Sequence, residues 1–306
     1  RGLDGPGRPG GAPGRLPGLP AFAARSPGEP HVVLELDDRL VVFKPPDWEV
    51  DYEERDEEVE HHRLSGFVRA LQQAGRWPIA TDAGHSFGFL HRLDVPSSGL
   101  VLVAKTYEAY YDLKLQLHVG TLVRDYVVLC HGHVSPERGE VSARVRWSRR
   151  SGAPSEIRPD GKPARTRLKV LAHATRDRQA YSLLAVRIAT GRRHQIRVHA
   201  AHIGHPTVCD GKYTELAAFQ ADSGWCPQNF LHRYRLEFRD AGGAAREVTT
   251  PLPEGLVAAL ASLAPADAAS AGELQCWLSG RGPRDWACCE ALPAGGALQE
   301  VPRQKK

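Results

Sequence analysis

The feature that most constrains the fold of this chain is a run of six apolar residues without polar interruption. It spans residues 99–104 (GLVLVA), which is the length of one strand, and the lack of alternation is typical of a strand covered on both faces. Thr106 follows as a candidate helix N-cap, and Gly120 is placed to end that helix. The run therefore predicts a buried central strand followed directly by a helix.

Several other segments have strand character, with apolar residues that alternate or cluster over short lengths. They are residues 32–36, 40–43, 124–130, 141–147, 165–172, 181–189 and 230–238. Apolar residues at helical spacing between Leu64 and Gln73 predict a further helix. Because strands outnumber helices and are interrupted by them, the sequence predicts a mixed α+β fold.

The two ends of the chain differ in composition from the middle. Fifteen of residues 1–30 are Gly or Pro, which is too many to sustain a helix or a sheet, so this stretch is expected to be a disordered leader. From about residue 264 to residue 306 the chain is rich in Ala, Gly and Ser and is expected to be a loosely packed tail. The folded part is therefore expected to begin near His31.

Charge is distributed unevenly along the 306 residues, although the formal net charge is only +4. Residues 86–214 contain 21 Lys or Arg against 10 Asp or Glu. Such a block suits a polyanionic partner, because each neutralised phosphate releases counterions. Basic surfaces also occur on proteins that never meet RNA, so charge alone leaves the partner open.

Cysteine usage and hydropathy bound the environment. The six cysteines form no CxxC pair, which favours a reducing, intracellular setting, and no stretch approaches the roughly 18 apolar residues of a membrane helix. The chain has no Met and begins at Arg1, so cytoplasm and organelle both stay open as compartments. The histidines at 131, 133, 199, 202 and 205 lack the spacing and partner cysteines of a metal site, so no metal is expected.

Two polar segments are candidates for a functional site. Residues 91–100 (HRLDVPSSGL) place Asp94 on a loop of small residues at the entrance to the predicted buried strand, which is a suitable position for a catalytic group. The alternative is that Asp94 pairs with Arg92 or caps a turn. Residues 191–199 (GRRHQIRVH) crowd basic and amide side chains at a predicted helix start, where free backbone amides can bind phosphate.

Together these segments resemble the RluA-type RNA pseudouridine synthases. That family contains HRLDxx[TS]SGLxxxAK, followed later by GRxHQIRxH and GHPxxxDxxY, and residues 91–105 and 191–213 match these motifs. Residues 43–46 (FKPP) resemble the family's early NKP segment, 125–129 (DYVVL) its KxYxALV strand, and 231–238 its LHxxxLxF segment. The resemblance covers residues 31–263 in the family's order and implies one catalytic domain there.

The resemblance also implies a fold and a reaction. The fold is α+β, with a mixed, mainly antiparallel sheet, flanking helices and a central RNA-binding cleft. The reaction isomerises specific uridines of rRNA or tRNA to pseudouridine, with base flipping and an Asp as the catalytic carboxylate. It is redox-neutral and the sequence has neither a GxGxxG nor a Walker pattern, so no cofactor is expected.

The family's functional residues match positions in this chain. Asp94 matches the catalytic Asp, Arg197 the Arg that pairs with it, and Tyr126 the active-site Tyr that stacks on the target base. Arg92 matches the Arg that fills the place of the flipped base. The other expected RNA-binding residues are His91, Arg192, Arg193, His194 and Gln195.

Two rival interpretations come from other classes of protein. A non-catalytic RNA-binding protein that retains the scaffold is the alternative, and the intact Asp94 weighs against it, because a pure binder has no use for a carboxylate facing phosphates. A glycoside hydrolase needs two paired acids, whereas Asp94 is the one motif acid that is apparent as a candidate for catalysis. The expected partner is structured, uridine-containing RNA, bound by a monomer.

Overall fold

The computed structural model describes residues 28–50, 62–72, 76–147 and 153–293. The predicted leader, residues 1–30, lies almost entirely outside the described residues, as does the end of the predicted tail. None of the helices in the described ranges is long and apolar enough to cross a membrane.

Strands and helices alternate irregularly along the described residues. The strands are β1 (His31–Glu35), β2 (Arg39–Lys44), β3 (Trp48–Glu49), β4 (His62–Arg63), β5 (Ser98–Ala104), β6 (Val123–His131), β7 (Glu140–Ser142), β8 (Val145–Arg146), β9 (Glu156–Ile157), β10 (Arg165–Arg176), β11 (Gln179–Ile188), β12 (Leu231–Arg239), β13 (Ala245–Thr249) and β14 (Ala264–Pro265). The α-helices are α1 (Leu64–Leu71), α2 (Tyr107–Val119), α3 (Gln195–His202), α4 (Leu216–Ser223), α5 (Glu254–Ala261) and α6 (Ala268–Leu278). Short 3₁₀ segments lie at Pro78–Thr81, Ala83–Gly88 and Trp286–Cys288.

One large sheet organises the molecule. Its strand order is β1-β2-β5-β12-β6-β11-β10-β14, with β13 beside β12 and β7 beside β10. Only β5 and β12 pair in parallel among these strands; the other pairs are antiparallel. The predicted α+β fold with a mixed, mainly antiparallel sheet is therefore confirmed. The segments predicted as strands are strands, although residues 141–147 are divided between β7 and β8, which belong to different sheets.

The apolar run is confirmed as the buried strand β5. All seven residues of β5 are buried, and the strand lies between β2 and β12. Gly99 has a φ of +127°, and a Cβ there would lie 2.3 Å from the carbonyl oxygen of Arg233 in β12. Glycine is needed for this approach, which brings β12 against the strand end where the Asp94 loop enters the sheet.

Helix α2 begins and ends where the sequence predicts. The Thr106 hydroxyl accepts a hydrogen bond from the Ala109 amide at 3.1 Å, and Gly120 closes the helix with a φ of 81°. Leu113 on its inner face is buried. The strand and its helix thus form the unit that the apolar run and its flanking caps indicated.

The prediction of a loosely packed tail from residue 264 is wrong for residues 264–293. There β14 pairs with β10, and the Trp277 side chain of α6 is 1% exposed. Its ring meets that of Tyr234 edge-on at 5.1 Å. Composition misled because small residues let a helix approach a sheet closely, while Leu274 and the large Trp277 supply the buried apolar area.

A buried carboxylate ties this C-terminal segment to the sheet. Asp125 in β6 is fully buried and accepts hydrogen bonds from Arg187 in β11 at 2.6 and 2.7 Å and from Arg235 in β12 at 3.0 Å. Both guanidinium groups also approach Asp285, at 3.5 and 3.2 Å. Arg187 further stacks over the Trp286 ring at 5.2 Å. One carboxylate therefore joins three strands to the C-terminal segment.

Replacing Asp125 by Ala should destabilise the fold strongly, because two guanidinium groups lose their shared buried carboxylate. We expect the free energy of unfolding, measured by urea denaturation, to fall by about 3–5 kcal/mol. As a control, Asp160→Ala removes a carboxylate from an exposed pair with Arg146 and should cost less than about 1 kcal/mol. Equal losses in the two variants would contradict the role given to Asp125.

Candidate active site

A cavity of about 790 Å³ opens on one face of the sheet. Its walls come from the loop before β5, from β6, from the turn after β11, from the start of α3, from β12 and from one face of α2. Asp94 is the single acidic residue among the described residues of the lining. The lining also contains seven basic side chains: Arg92, Lys114, Arg124, Arg192, Arg193, Arg197 and Arg233.

Asp94 and Arg197 meet in this cavity, as the resemblance implies. Arg197 Nη1 donates to Asp94 Oδ2 at 3.0 Å. Arg197 also makes a bidentate pair with Asp210, through Nε to Oδ2 at 2.7 Å and Nη2 to Oδ1 at 2.6 Å. Asp210 in turn accepts from the Thr207 hydroxyl at 3.0 Å. The buried Asp210 thus fixes the plane of the guanidinium, which leaves Nη1 to hold Asp94.

Asp94 is ionised at neutral pH. Burial by itself would raise the pKa of this carboxyl, but the positive charges of Arg197 and Arg92 outweigh burial and hold the pKa below its usual value. The Asp94 side chain is 14% exposed, whereas those of Arg197 and Asp210 are 2% and 0% exposed. A molecule in the cavity can therefore reach Asp94 and not the carboxylate behind it.

His194 stands beside this trio at the start of α3. Its backbone is left-handed, with a φ of 54°, which turns the ring so that Nε2 lies 4.0 Å from Asp94 Oδ1. Nδ1 shares a hydrogen bond with the Tyr213 hydroxyl at 3.0 Å. Burial lowers the pKa of His194 to about 4, so the imidazole is neutral at physiological pH.

Tyr126 lies on the cavity face of β6, held by a residue that the sequence reasoning missed. Its hydroxyl oxygen accepts from Arg233 Nε at 2.9 Å and from Nη2 at 2.6 Å. Arg233 also donates to the carbonyls of Leu100 and Arg92, at 2.9 and 3.1 Å. It lies in the LHxxxLxF-like segment, which was the only sequence signal for it. Arg233 thus fixes Tyr126 and the loop that carries Asp94 to the same strand.

Lys44, from the FKPP segment, supports the same loop from behind. It is fully buried, and Nζ donates to the carbonyls of Pro45 and Trp48 at 2.8 Å each and to that of Val95 at 3.1 Å. Burial lowers its pKa to about 7. The bond to Val95 anchors the residue immediately after Asp94.

The three arginines predicted to bind RNA line the cavity. Arg92 is partly exposed, beside Asp94 in the loop. Arg192 Nε donates to the carbonyl of Pro163 at 3.1 Å, and the Arg193 guanidinium stacks over the Trp147 ring at 5.2 Å. Their contact with RNA stays a prediction.

His91 and Gln195 were also predicted to bind RNA, yet both are buried. His91 Nδ1 accepts from Arg233 Nη1 at 2.7 Å, and burial keeps its pKa well below the usual value. The Gln195 amide donates to the carbonyl of Arg165 and accepts from the amide of Arg192, each at 3.0 Å. In this structure both side chains hold the cavity wall together, and a direct RNA contact stays a prediction.

Metal ligands were not expected from the sequence. Among the residues that the structure describes, no group of three or more His, Cys, Asp or Glu side chains is arranged to hold a metal ion.

The mixed sheet and the basic cavity, in which Asp94 is the one acid among the described lining residues, define an α+β protein with a carboxylate in a basic cleft. The family model described as RNA pseudouridylate synthase matches residues 41–202. The chain therefore belongs to this family, and the resemblance read from its motifs is confirmed.

Individual relatives support the assignment to this family. The chain is 35% identical over 180 residues to "Ribosomal large subunit pseudouridine synthase D" of Nitrosomonas europaea, covering 58% of this chain and 51% of the relative. It is 29% identical to "Uncharacterized RNA pseudouridine synthase YlyB" of Bacillus subtilis, covering 73% of this chain and 75% of the relative. The chain spans about half the length of several curated relatives it matches.

A solved structure has a similar fold. "Human RNA Pseudouridylate Synthase Domain Containing 1" superposes with a TM-score of 0.60 at 26% identity, covering 80% of this chain and 91% of that one. A second human structure, "RNA Pseudouridylate Synthase Domain Containing 4", has a TM-score of 0.55 at 18% identity, covering 76% of this chain and 93% of that one. The predicted fold is thus confirmed at the level of architecture.

The pKa of His194 predicts a pH dependence of stability. In the unfolded chain this group titrates near 6.5, whereas in the folded protein its pKa is about 4. Between these values the unfolded chain binds a proton that the folded protein does not, so the free energy of unfolding falls as pH falls from about 6.5 to 4.

The variant His194→Asn removes this contribution, and Asn tolerates the left-handed backbone. In urea denaturation between pH 7.5 and 4, it should flatten the pH dependence by up to about 3 kcal/mol. The other buried histidines should still contribute to the pH dependence of the free energy of unfolding in this variant. An unchanged pH dependence in His194→Asn would show that His194 is not a buried neutral group.

Proposed function

We propose that this protein isomerises specific uridines in RNA to pseudouridine, with Asp94 as the catalytic carboxylate. The observation that carries the proposal is the ionised Asp94, reachable from a basic cavity and held by Arg197, which Asp210 holds in turn. A carboxylate in such a place is suited to act on an electron-poor sugar carbon, while the surrounding arginines attract a polyanion.

The reaction requires no external redox partner. The N1–C1′ bond of uridine breaks, the uracil turns within the cavity, and C5 bonds to C1′; C5 then loses its proton and N1 gains one, so atoms and charge balance. Asp94 serves either as the nucleophile at C1′ or as the group that assists a glycal or oxocarbenium-like species. Tyr126 stacks on the uracil and is positioned for the proton transfer at C5.

The target uridine must leave its helix to reach Asp94. We propose that Arg92, beside the catalytic residue in the loop, fills the vacated position with its planar guanidinium. Since relatives carry the name of ribosomal large subunit synthases, rRNA is the favoured substrate, and tRNA the second. The protein is proposed to act as a monomer inside the cell, in cytoplasm or organelle, without metal or cofactor.

The variant Asp94→Asn tests the proposal directly, because it keeps the shape of the side chain and removes its charge. It should abolish pseudouridine formation in transcripts and in cellular RNA from a strain lacking the protein. Affinity for the RNA should change less than about tenfold, since losing an anion that faces phosphates does not weaken their attraction.

Asp160→Asn is the matched control, because it removes the same charge from an exposed pair with Arg146, and it should retain full turnover. Substantial conversion by Asp94→Asn, purified from cells without other synthases, would refute the proposed mechanism. A wild-type protein that binds RNA but converts no uridine offered to it would favour the alternative, a non-catalytic RNA-binding protein on the same scaffold.

Arg92→Ala should distinguish substrates by their structure. Flipping a base out of a stem costs a few kcal/mol, and a base in a flexible single strand does not incur this cost. We therefore expect the variant to lose about tenfold or more in conversion rate on a stem uridine and markedly less on an unpaired one, in single-turnover assays. Equal losses on both substrates would contradict the insertion of Arg92.

A further inference from the structure

Arg124 is a cavity residue to which the proposed mechanism gives no role, although it stands at the basic position of the KxYxALV pattern. It lies two residues before Tyr126 in β6, so its side chain shares the cavity face of that strand. The intervening Asp125 faces the opposite side and is held by Arg187 and Arg235. Arg124 is only 3% exposed, which places a guanidinium at the inner wall of the cavity.

This guanidinium lacks a counterion among the described residues. Its one hydrogen bond is a long contact of 3.5 Å from Nη2 to the carbonyl of Ile188, and Nε is buried without an acceptor in the described ranges. Other buried arginines differ: Arg39 pairs with Asp38 and Asp112, and Arg235 with Asp125. A buried, uncompensated charge costs free energy, so its presence in a cavity calls for a ligand.

Arg124 carries its charge under physiological conditions. Burial, reinforced by the nearby charge of Arg233, lowers its pKa to about 10, which is still far above neutral pH. Arg233 is already committed to the Tyr126 hydroxyl, to His91 and to backbone carbonyls. Arg124 is therefore the inner guanidinium whose donors stay available.

The loop that covers Arg124 approaches its guanidinium closely at Gly191. A Cβ on Gly191 would lie 3.0 Å from Arg124 Nη1, so glycine lets the backbone approach the guanidinium closely. The same loop continues into Arg192 and Arg193 of the cavity lining. Arg124 is thus bordered by further cations, while the single acid of the lining, Asp94, is occupied by Arg197.

We propose that Arg124 is the central cation of an anion subsite in this cavity, and that its ligand is a phosphodiester group of the bound RNA. The second half of this proposal rests on the proposed function, since it takes RNA as the substrate. The surface arginines contact the RNA around the target, whereas the buried Arg124 receives a phosphate of the nucleotide that enters the cavity.

The first test uses inorganic phosphate and needs no turnover. Wild-type protein, Arg124→Gln and the control Arg178→Gln, which removes an exposed charge from the tip of the β10–β11 hairpin, are melted in phosphate and in chloride of equal ionic strength. Phosphate about tenfold above its dissociation constant should raise the melting temperature of wild type and of Arg178→Gln by about 3 °C. Arg124→Gln should lose this shift.

Without phosphate, Arg124→Gln should melt at the wild-type temperature or above it, because the variant removes an unpaired buried charge. A melting temperature several degrees lower would show that Arg124 is structural and would overturn the proposal. So would a phosphate shift that persists in Arg124→Gln, or one that is absent from wild type. None of these outcomes depends on whether the protein converts uridine.

The second test identifies the source of the phosphate. RNA affinity is measured against salt for the same three proteins, with a structured, uridine-containing transcript. Arg124→Gln should bind about tenfold more weakly and lower the slope of log affinity against log salt by about one, whereas Arg178→Gln should match wild type. Phosphate binding without any change in RNA affinity or slope would overturn the assignment to an RNA phosphodiester and leave a free phosphate as the ligand.

Discussion

The interaction on which the candidate site depends is the double use of Arg197 by two carboxylates. Asp210 grips the guanidinium through two nitrogens, and the third holds Asp94. A lone buried arginine would be costly and mobile, but one held in a bidentate pair has a fixed plane. The Asp94 carboxylate is therefore fixed by a residue that it never touches. The motifs GRxHQIRxH and GHPxxxDxxY are consequently one physical unit, although they are separate in sequence.

The alternation of a single strand connects this site to the rest of the molecule. On β6, Arg124 and Tyr126 face the cavity while Asp125 faces the C-terminal segment. Tyr126 is then held from β12 by Arg233, and Asp125 from β12 by Arg235. The two faces of β6 are therefore coupled. Packing of residues 264–293 on one face stabilises the strand whose other face forms the cavity.

Local patterns predicted what depends on local physics. The buried strand β5 and the helix α2 followed from an apolar run, an N-cap and a terminal glycine, because those features act within a few residues. Composition failed at α6, where Leu274 and Trp277 are buried among small residues, although the average composition of the segment is typical of a loosely packed tail. The average hydrophobicity is a property of the segment alone, whereas the burial of its side chains depends on the surface against which the segment packs.

Some residues of the candidate site could likewise be identified from the sequence, and others could not. Asp94, Tyr126 and Arg197 were found through a resemblance, since no local pattern brings positions 94 and 197 together. Asp210 stood in a matched motif but its grip on Arg197 could not be predicted from spacing. Arg233 and Arg124 were missed because a basic residue within a strand usually indicates a solvated face, and only the three-dimensional arrangement shows that both are buried.

The electrostatics of the cavity follow from these placements. Two carboxylates share one guanidinium, so the trio of Asp94, Arg197 and Asp210 carries a net negative charge inside a wall of cations. The positive charge of Arg197 keeps Asp94 ionised, and because Arg197 is shared with Asp210, the charge on Asp94 is only partly neutralised. Further basic residues, among them Arg92, Arg124 and Arg192, line the cavity around this trio and give its wall a positive charge. The proposed catalytic carboxylate and the cations proposed to bind RNA are therefore separate groups, so the loss of either function can be measured without the other.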